Sequence, residues 1–449
     1  MPLPPQQLPR LLPAETPRGL AAHVARYGPV PLRGDRHGSR ARKGETPLID
    51  SVERAGLTGR GGADFPAARK MRAVRNGARR AVGTVVVANG VESEPISMKD
   101  HALLTAAPHL VLDGISLAAQ SVGASEAFLC LDGGDDMLRQ HVGDAIKERE
   151  RAGTDPIPIR ITAVPAGYVS SEESALIHLI NGGPALPTYA PPRPFQKGVL
   201  GRPTLVNNVE TLAHIALIAR YGSAWFRAVG TQAAPGSALI AVTGALHRPG
   251  VQEIALGTGL PEVLAAAGGQ TEPPQAILAG GFFGGWLPAS AAPHLRLSGP
   301  DLRAAGASLG AGVLLLLPQS ACGIAETARI ARYLAGQSAG QCGPCANGLP
   351  AIADALEHIA LRGGDARVQG WLAQLLRLVE GRGACHFPDG AARLVASALR
   401  AFAADLHQHL RRGPCDRVTR PGVVPVPIAG QRGARRDASR AGRRAAAGM

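Results

Sequence analysis

The chain has 449 residues, 45% of them hydrophobic, which predicts a folded protein of about two or three domains and excludes a largely disordered chain. The net charge of +14 is almost entirely arginine and lies largely near the termini. With only 4% aromatic residues, it does not indicate nucleic-acid binding. No apolar run approaches the roughly 20 residues of a membrane span, and the N-terminus lacks a secretory signal pattern. We therefore expect a cytoplasmic protein.

The order of predicted elements indicates an α/β fold with added modules. Residues 1–45 are rich in Pro and Arg and predict a loose lead-in. Residues 46–230 alternate buried strands with helices, which predicts a parallel sheet with crossover helices. Short strands around one helix predict a small module of the β-grasp type at residues 236–300. Amphipathic helices fill residues 323–412, and residues 416–449 predict a basic disordered tail.

Two strands of the predicted sheet are each followed by an acidic loop. The two loops carry, in chain order, Asn89, Glu92, Glu94, Tyr168, Glu172 and Glu173. Open α/β sheets bind ligands at the carboxyl ends of their strands, and carboxylates there suit ribose or ribityl hydroxyls. Acidic residues in a helix's first turn are also ordinary complements of the helix dipole, so both interpretations stay open for each pair.

A glycine-rich stretch, "GLTGRGGADFPAARK", occupies residues 56–70. Gly59, Gly61 and Gly62 leave backbone N–H groups free to approach a phosphate, while Arg60 and Lys70 supply positive charge. The stretch is not the GxGxxG dinucleotide fingerprint, because no strand immediately precedes it. It predicts a phosphate-binding loop or an ordinary turn.

Two adjacent asparagines, Asn207 and Asn208, stand at the start of a helical pattern. Either side chain could cap the helix, or both could hold an amide-rich ring such as flavin. Capping needs only one of them.

The chain has six cysteines, and Cys342 and Cys345 form a Cys-Gly-Pro-Cys motif at a predicted helix start. This spacing is typical of a redox dithiol, of half a zinc site, or of part of an iron–sulfur site. Spacing alone does not choose among these chemistries or exclude two thiols with no function.

Four stretches in order, GRGGADFP, NGVESEP, GYVSSEESALI and GRPTLVNNVETL, are followed by CGPC and a further cysteine. In this combination the chain resembles the NADH-binding flavoprotein subunit of respiratory complex I and its relatives in NAD-linked hydrogenases and formate dehydrogenases. The resemblance covers about residues 50–412. It implies a Rossmann-like FMN-binding domain, then an SLBB module of β-grasp type, then a helical iron–sulfur domain.

The resemblance also implies a site and a reaction. The cofactor-binding residues would be Gly59, Arg60, Gly61, Gly62, Phe65, Lys70, Asn89, Glu92, Tyr168, Glu172, Asn207 and Asn208. Glu94 and Glu173 would face the nicotinamide nucleotide, with Phe65 stacked near it. NADH would pass a hydride to FMN, and single electrons would continue through a cluster to a ferredoxin-like or quinone-reductase partner in a hetero-oligomer.

The family's cluster is a four-iron four-sulfur (4Fe–4S) cluster held by four cysteines, the last about forty residues after the others. Cys342, Cys345 and Cys385 match three of these ligands, and Ala339 stands in place of the first. Three thiolates could hold a cluster with a fourth ligand from elsewhere, or a three-iron form. The candidates for a fourth ligand are Cys322, Cys415 and His386. Zinc is the competing occupant of the three cysteines.

Several positions depart from the family pattern at the nucleotide site. Asp64 replaces a glycine, and a like charge about 4 Å from a phosphate would cost on the order of 4 kcal/mol. Val91 replaces an acidic residue, and Ala190 and Arg193 stand where the pattern has Lys and Phe. FMN is therefore better supported than NADH. The alternatives are an electron-transfer or scaffold subunit that has lost NADH oxidation and a zinc-stabilised protein without catalytic function.

Overall fold

The computed structural model describes residues 7–13, 16–32, 47–78 and 83–427. These residues form a parallel sheet with its helices, a second mixed sheet, and a group of C-terminal helices.

The first sheet has four parallel strands in the spatial order β3-β2-β1-β4. The strands are β1 (Thr84–Gly90), β2 (Ala124–Asp132), β3 (Ile159–Val164) and β4 (Thr204–Asn208). Strand β1 reads as a continuous apolar run because it lies inside the sheet with packed residues on both faces. The predicted parallel sheet is confirmed.

Helices pack around this sheet and bury its faces. They are α1 (Gly19–Tyr27), α2 (Pro47–Ala55), α3 (Ala67–Ala78), α4 (Lys99–Ala106), α5 (Pro108–Val122), α6 (Asp136–Arg151), α7 (Glu173–Ile180) and α8 (Val209–Arg227). Helix α5 is almost wholly buried and packs against α8. Gly114 permits this approach, because a Cβ there would lie 2.0 Å from the Leu212 carbonyl oxygen.

Among the described residues, no single helix has the length and hydropathy of a membrane span. Helices α4 and α5 have the length and hydropathy of a membrane span only when taken together, and they are bent by 96° relative to each other.

The second sheet is mixed, with the spatial order β6-β5-β9-β7-β8. Its strands are β5 (Ser237–Gly244), β6 (Gly250–Ala255), β7 (Pro274–Ala279), β8 (Gly285–Pro288) and β9 (Val313–Pro318), with α9 (Leu260–Ala266) and α10 (Gly299–Ala304) alongside. The predicted end of this module at residue 300 is wrong, because it omits β9, the central strand. This strand is the apolar run at 311–318, continuous in sequence because it is buried along its whole length.

In the described part of the chain, five helices follow the second sheet, where the sequence predicts four amphipathic helical patterns. They are α11 (Gly323–Gln337), α12 (Leu349–Arg362), α13 (Ala366–Val379), α14 (Phe387–Ala401) and α15 (Ala403–Arg412), with a π-helical turn at Pro344–Gly348. The last amphipathic stretch, residues 390–410, forms two helices, α14 and α15, which meet at Phe402. The centroid of the Phe402 ring lies 5.1 Å from that of Trp286.

Both terminal segments are more ordered than the sequence predicts. Leu11 is fully buried, and Arg10 donates from Nη1 to the Trp225 carbonyl oxygen at 3.1 Å. At the other end, Val424 is buried and its N–H donates to Glu326 Oε2 at 3.1 Å. The predictions of a loose lead-in and of disorder from residue 416 are therefore wrong for residues 7–13, 16–32 and 416–427. Residues 33–46 and 428–449 lie outside the described part.

Candidate cofactor sites

The carboxyl ends of β1 and β4 place three of the predicted asparagines together. Asn89 is the register partner of Asn208. Asn208 caps α8, since its Oδ1 accepts from the Glu210 N–H at 2.9 Å. Asn207 is buried, and its Nδ2 has no hydrogen-bond partner among the described residues. One asparagine thus caps the helix and the other keeps a donor for a ligand.

The loops that follow β1 and β3 are joined directly, as a shared sheet edge requires. Asn89 donates from Nδ2 to the Ser171 carbonyl oxygen at 2.9 Å, and the hydroxyls of Ser93 and Ser171 lie 2.5 Å apart. The Tyr168 hydroxyl donates to Glu94 Oε2 at 2.7 Å. The two acidic loops therefore form one continuous wall.

Glu94 is the most perturbed carboxyl group of this wall. Its side chain is 5% exposed, and the Phe282 N–H donates to Oε2 at 2.8 Å. Its other oxygen, Oε1, has no partner among the described residues. Burial raises the pKa of Glu94 to about 7, against the opposing effect of hydrogen bonds from Tyr168 and the backbone. This carboxyl group can therefore exchange a proton near neutral pH.

Two of the predicted cofactor ligands, Glu92 and Glu172, are engaged at helix starts. Glu92 accepts from the backbone N–H groups of Asp100 and His101, both at 3.1 Å. Glu172 caps α7 and accepts from the Ser174 N–H at 2.8 Å. Glu172 thus stands at the helix start, as the alternative interpretation expects, whereas Glu92 reaches the N-terminus of α4 from seven residues upstream. A contact of either with a cofactor stays a prediction.

Lys70 and Glu173 form an ion pair beside the sheet edge. Lys70 Nζ lies 2.8 Å from Glu173 Oε2, and both side chains are about a third exposed. Phe65, on the same segment as Lys70, is 46% exposed, with the Arg69 guanidinium 5.5 Å from its ring centroid. An aromatic face and a charged pair are thus accessible at the mouth of the site.

The glycine-rich loop packs tightly against β4. A Cβ on Gly61 would lie 3.3 Å from the Asn208 Cβ. Arg60 is buried, and its guanidinium donates to the Ser237 carbonyl oxygen at 3.1 Å and to Thr58 Oγ1 at 2.9 Å. Its side chain therefore ties the loop to the second sheet, which differs from the predicted role of a charge offered to a phosphate.

A cavity of about 350 Å³ lies between this loop and the second sheet. Of the predicted cofactor ligands, Gly59, Arg60 and Gly62 line it, whereas Gly61, Phe65 and Lys70 of the same stretch do not. Lys99 also lines the cavity, and its Nζ is paired with Asp100 at 2.7 Å and Glu210 at 2.9 Å. The sequence analysis missed this buried charge network, whose only signal was a Lys-Asp pair after the acidic loop.

Asp64, the departure at the family's glycine, adopts a left-handed conformation with φ 51°. Its Oδ2 lies 3.1 Å from Arg303 Nη1 on α10. The additional negative charge is therefore compensated by a cation that the sequence analysis did not connect with it.

The three cysteines that match the family pattern surround a second cavity, of about 430 Å³. Cys342, Cys345, Cys385 and Ala339 all line it. Burial acts to raise the pKa of Cys342, but backbone N–H groups of Ala384 and Cys345 outweigh it and lower the pKa overall. Burial raises the pKa of Cys345 to about 12, helped by the neighbouring thiols.

These three thiols do not form a compact single-ion set. Among the described residues, the group whose ligand atoms all lie within 4.8 Å of one another is Cys322, His409 and Cys415. Neither of these two cysteines lines the cavity of Cys342, and His386 is 94% exposed in its side chain. None of the three candidates for a fourth ligand is therefore placed with the matching cysteines.

The two candidate sites adjoin each other. His178 and Thr188, from the parallel-sheet domain, line the thiol cavity. Cys385 has a raised pKa because of burial and, secondarily, the negative charge of Glu172 at the start of α7. Helix α7 thus connects the sheet edge to the thiols.

An aromatic group fills the junction between the two sites. The Tyr168 ring centroid lies 4.7 Å from that of Phe283 and 5.7 Å from that of Phe387, and Phe282 stacks at 6.3 Å. The sequence analysis missed this group, because its members come from three distant segments of a chain poor in aromatic residues.

The residues present fit FMN and an iron–sulfur cluster. The unpartnered Asn207 Nδ2 and Glu94 Oε1 are buried polar atoms for which a ligand would supply hydrogen-bond partners. The donor set of the second cavity is three thiols, the ligand type of iron–sulfur clusters.

Comparisons with known proteins match the chain in three consecutive parts. The Nuo51 FMN-binding domain matches residues 52–217, the SLBB domain matches residues 239–282, and the NADH-ubiquinone oxidoreductase-F iron-sulfur binding region matches residues 325–409.

Similar proteins include the F 2 subunit of NADH-quinone oxidoreductase in Rhizobium meliloti (strain 1021), 29% identical over 82% of this chain and 90% of that protein. The corresponding F subunit in Streptomyces coelicolor is 30% identical over 82% of this chain and 84% of that protein. Among solved structures, the NAD+-reducing [NiFe]-hydrogenase in its air-oxidized state superimposes with a TM-score of 0.73 at 32% identity, over 82% of this chain. This chain spans 62% of that hydrogenase chain.

Proposed function

The chain belongs to the family of the F subunit of NADH-quinone oxidoreductase, and from this premise we propose that its sheet edge binds FMN and NADH and that its thiol cavity receives the electrons. It is an oxidoreductase component of a hetero-oligomeric complex. The observation that carries the proposal is the pair of unpartnered buried atoms, Asn207 Nδ2 and Glu94 Oε1, beside the predicted FMN residues.

FMN, when bound, would accept one hydride with its two electrons from NADH, and an iron–sulfur cluster would carry these electrons onward one at a time. The sheet edge supplies the hydrogen bonds that orient these groups. Asn207 offers its amide as a donor, and Lys70 offers a cation held in place by Glu173. The close packing of Gly61 on Asn208 fixes the loop that faces this edge.

Glu94 and Tyr168 position the acidic wall and keep it dry. The Tyr168 hydroxyl holds one oxygen of Glu94, and the aromatic group of Tyr168, Phe282, Phe283 and Phe387 packs behind it. Because the pKa of Glu94 lies at about 7, its free oxygen either accepts or donates a hydrogen bond near neutral pH. We assign Glu94 and Glu173 to the nicotinamide side of the site, with Phe65 as the exposed aromatic face.

Cys342, Cys345 and Cys385 would hold the iron–sulfur cluster, which would supply the single-electron step after the flavin. The position of α7 supports this assignment. Its N-cap Glu172 helps to raise the pKa of Cys385, after the larger effect of burial, and its residue His178 lines the thiol cavity. A redox partner of the ferredoxin-like class would dock nearby. Helix α13 packs on the Pro344–Gly348 turn and exposes Trp371 and Leu378, which supports a docking face close to the cysteines.

The test is an anaerobic visible spectrum of the reconstituted full-length protein before and after addition of NADH. We expect a flavin band that NADH bleaches. The Asn207→Ala variant should bind FMN at least about 10-fold more weakly, because its amide donor is lost. Asn76→Ala, which removes an exposed asparagine from α3, should bind FMN like the wild type.

Each other outcome points to a different function. A flavin band that NADH leaves unchanged would overturn the NADH step and favour the electron-transfer role. Equal FMN affinity in the Asn207→Ala variant would remove the sheet edge as the flavin site. Absence of both chromophores would reject the proposal entirely.

A further inference from the structure

Three metal-binding side chains converge in the helical domain, away from the thiol cavity. Cys322 lies at the start of α11, His409 near the end of α15, and Cys415 in the segment that follows α15. Their ligand atoms all lie within 4.8 Å of one another, and Cys322 Sγ is 3.6 Å from His409 Nε2. All three are buried, with exposed fractions of 2%, 0% and 7% in chain order.

The hydrogen bonds of His409 fix its tautomer. Its Nδ1 lies 3.1 Å from the Ile359 carbonyl oxygen, which can only accept, so Nδ1 carries the proton. The lone pair of Nε2 consequently faces the two cysteines, and the Cys415 backbone N–H, which donates to it at 3.3 Å, would have to release it when a metal ion binds. A histidine that ligates a metal typically donates its other ring nitrogen to a backbone carbonyl in this way.

The surroundings hold these ligands firmly. Arg417 lies beside Cys415, and its Nη2 is 2.6 Å from Asp405 Oδ1. The same guanidinium donates from Nη1 to the Ala321 carbonyl oxygen at 3.2 Å, next to Cys322. Arg417 thus hydrogen-bonds to α15 and to the residue before Cys322, which holds the segments that carry the three ligands close together.

We propose that Cys322 Sγ, Cys415 Sγ and His409 Nε2 bind one divalent ion of the zinc type, at a site separate from the iron–sulfur cluster. Two thiolates and one imidazole are ligands that zinc prefers, and in its tetrahedral geometry these three leave the fourth position to a water molecule. Each cysteine loses its proton when the ion binds, so the two thiolates neutralise the dication. The ion joins the start of α11 to the C-terminal segment and anchors that segment to the helical domain.

The test measures zinc and iron together in full-length protein purified without chelator. We expect roughly one zinc per chain. The His409→Gln and Cys415→Ala variants should lose it while they keep the cluster iron. A Cys342→Ala/Cys345→Ala/Cys385→Ala variant should lose cluster iron and keep the zinc. Cys130→Ala, a buried cysteine of β2, should retain both metals.

Cobalt replacement keeps the proposal testable if a variant folds poorly. Cobalt added to the metal-free wild type should give visible bands of a tetrahedral ion and a sulfur-to-cobalt charge-transfer band. The proposal is overturned if the wild type binds no zinc, if zinc departs only with the other three cysteines, or if peptide mapping shows a Cys322–Cys415 disulfide in the native protein.

Discussion

The sheet edge and the thiol cavity differ in whether their polar side chains already have partners within the protein. At the sheet edge, most polar groups already bond to one another: Asn208 caps α8, Lys70 pairs with Glu173, and Tyr168 donates to Glu94. In the thiol cavity, Cys342 and Cys385 are half-buried and line open space. The polar side chains of the sheet edge therefore contribute to the stability of the fold, whereas two of the three cysteines of the thiol cavity are partly exposed and face a cavity.

This difference predicts different consequences of substitution. A change at the sheet edge removes a hydrogen bond of the protein as well as a contact to a ligand, so stability and binding change together. A change in the thiol cavity removes a ligand atom, and at the half-buried Cys342 and Cys385 it removes less packed surface than at the buried Cys345. The following experiments test this contrast, from the largest expected effect to the smallest.

The largest effect is expected in the thiol cavity. Cys345→Ala should abolish cluster binding, seen as loss of more than about nine-tenths of the iron and sulfide and of the cluster's electron paramagnetic resonance signal. Ala339→Cys should act in the opposite direction, because residue 339 lines the same cavity and would supply a fourth thiolate. We expect it to raise the iron content per chain and slow cluster loss in air.

The control for both variants is Gly336→Cys, which places a thiol outside the cavity lining, at an exposed position of α11 where nothing lies within 4 Å of the added Cβ. If Gly336→Cys raises the iron content as much as Ala339→Cys does, the cavity lining does not define the cluster site. Cluster retention in the Cys345→Ala variant would reject that cysteine as a ligand.

The sheet edge should show an intermediate effect through Glu94. Because burial raises its pKa from 4.5 to about 7, the folded state binds the proton more tightly than the unfolded state. Its contribution to stability is therefore complete below pH 4.5 and is lost as pH rises through 7. Linkage gives a loss on the order of 2 to 3 kcal/mol between pH 5 and pH 8 from this group alone.

Glu94→Gln should remove this part of the pH dependence, which urea unfolding at pH 5 and pH 8 would measure. Glu262→Gln, an exposed carboxyl of α9, should behave as the wild type does. An unchanged pH dependence in Glu94→Gln would show that Glu94 is solvated in the free protein, and the sheet edge would then be as open as the thiol cavity.

Local patterns predicted much of this molecule. The parallel sheet follows from apolar strands separated by helical periodicity, and the caps by Glu172 and Asn208 follow from the position of each residue directly before a helix. Strand β9 is harder to predict, because its short apolar run at residues 313–318 has no alternation of polar and apolar residues. A buried central strand and a short membrane segment share that pattern.

Contacts between distant segments could not be obtained from spacing. The pairing of Asp64 with Arg303 spans 239 positions, and Cys322 approaches His409 across 87. No local rule connects such residues, because their proximity depends on how two sheets and five helices pack. For Asp64 this reverses the expected effect on ligand binding, because the carboxylate predicted to repel a phosphate is paired with Arg303.

The smallest effect is therefore expected at Asp64. An unpaired charge costing about 4 kcal/mol would make Asp64→Gly improve NADH binding by about a thousandfold. Because Asp64 pairs with Arg303, we expect the KM for NADH to change by less than about threefold. Arg303→Ala should raise the KM by about two- to fivefold, as it leaves the carboxylate unpaired.

Two further variants decide whether the pairing is responsible. Arg248→Ala removes an exposed cation from the same module and should leave the KM unchanged. The Asp64→Gly/Arg303→Ala double variant should return to the KM of Asp64→Gly, because no unpaired carboxylate remains. If Asp64→Gly alone lowers the KM by a hundredfold or more, the carboxylate acts on the nucleotide despite Arg303. The ion pair of Asp64 and Arg303 beside the glycine-rich loop would then fail to neutralise the carboxylate, and the part of the nucleotide site that it lines would be as open to a ligand as the thiol cavity.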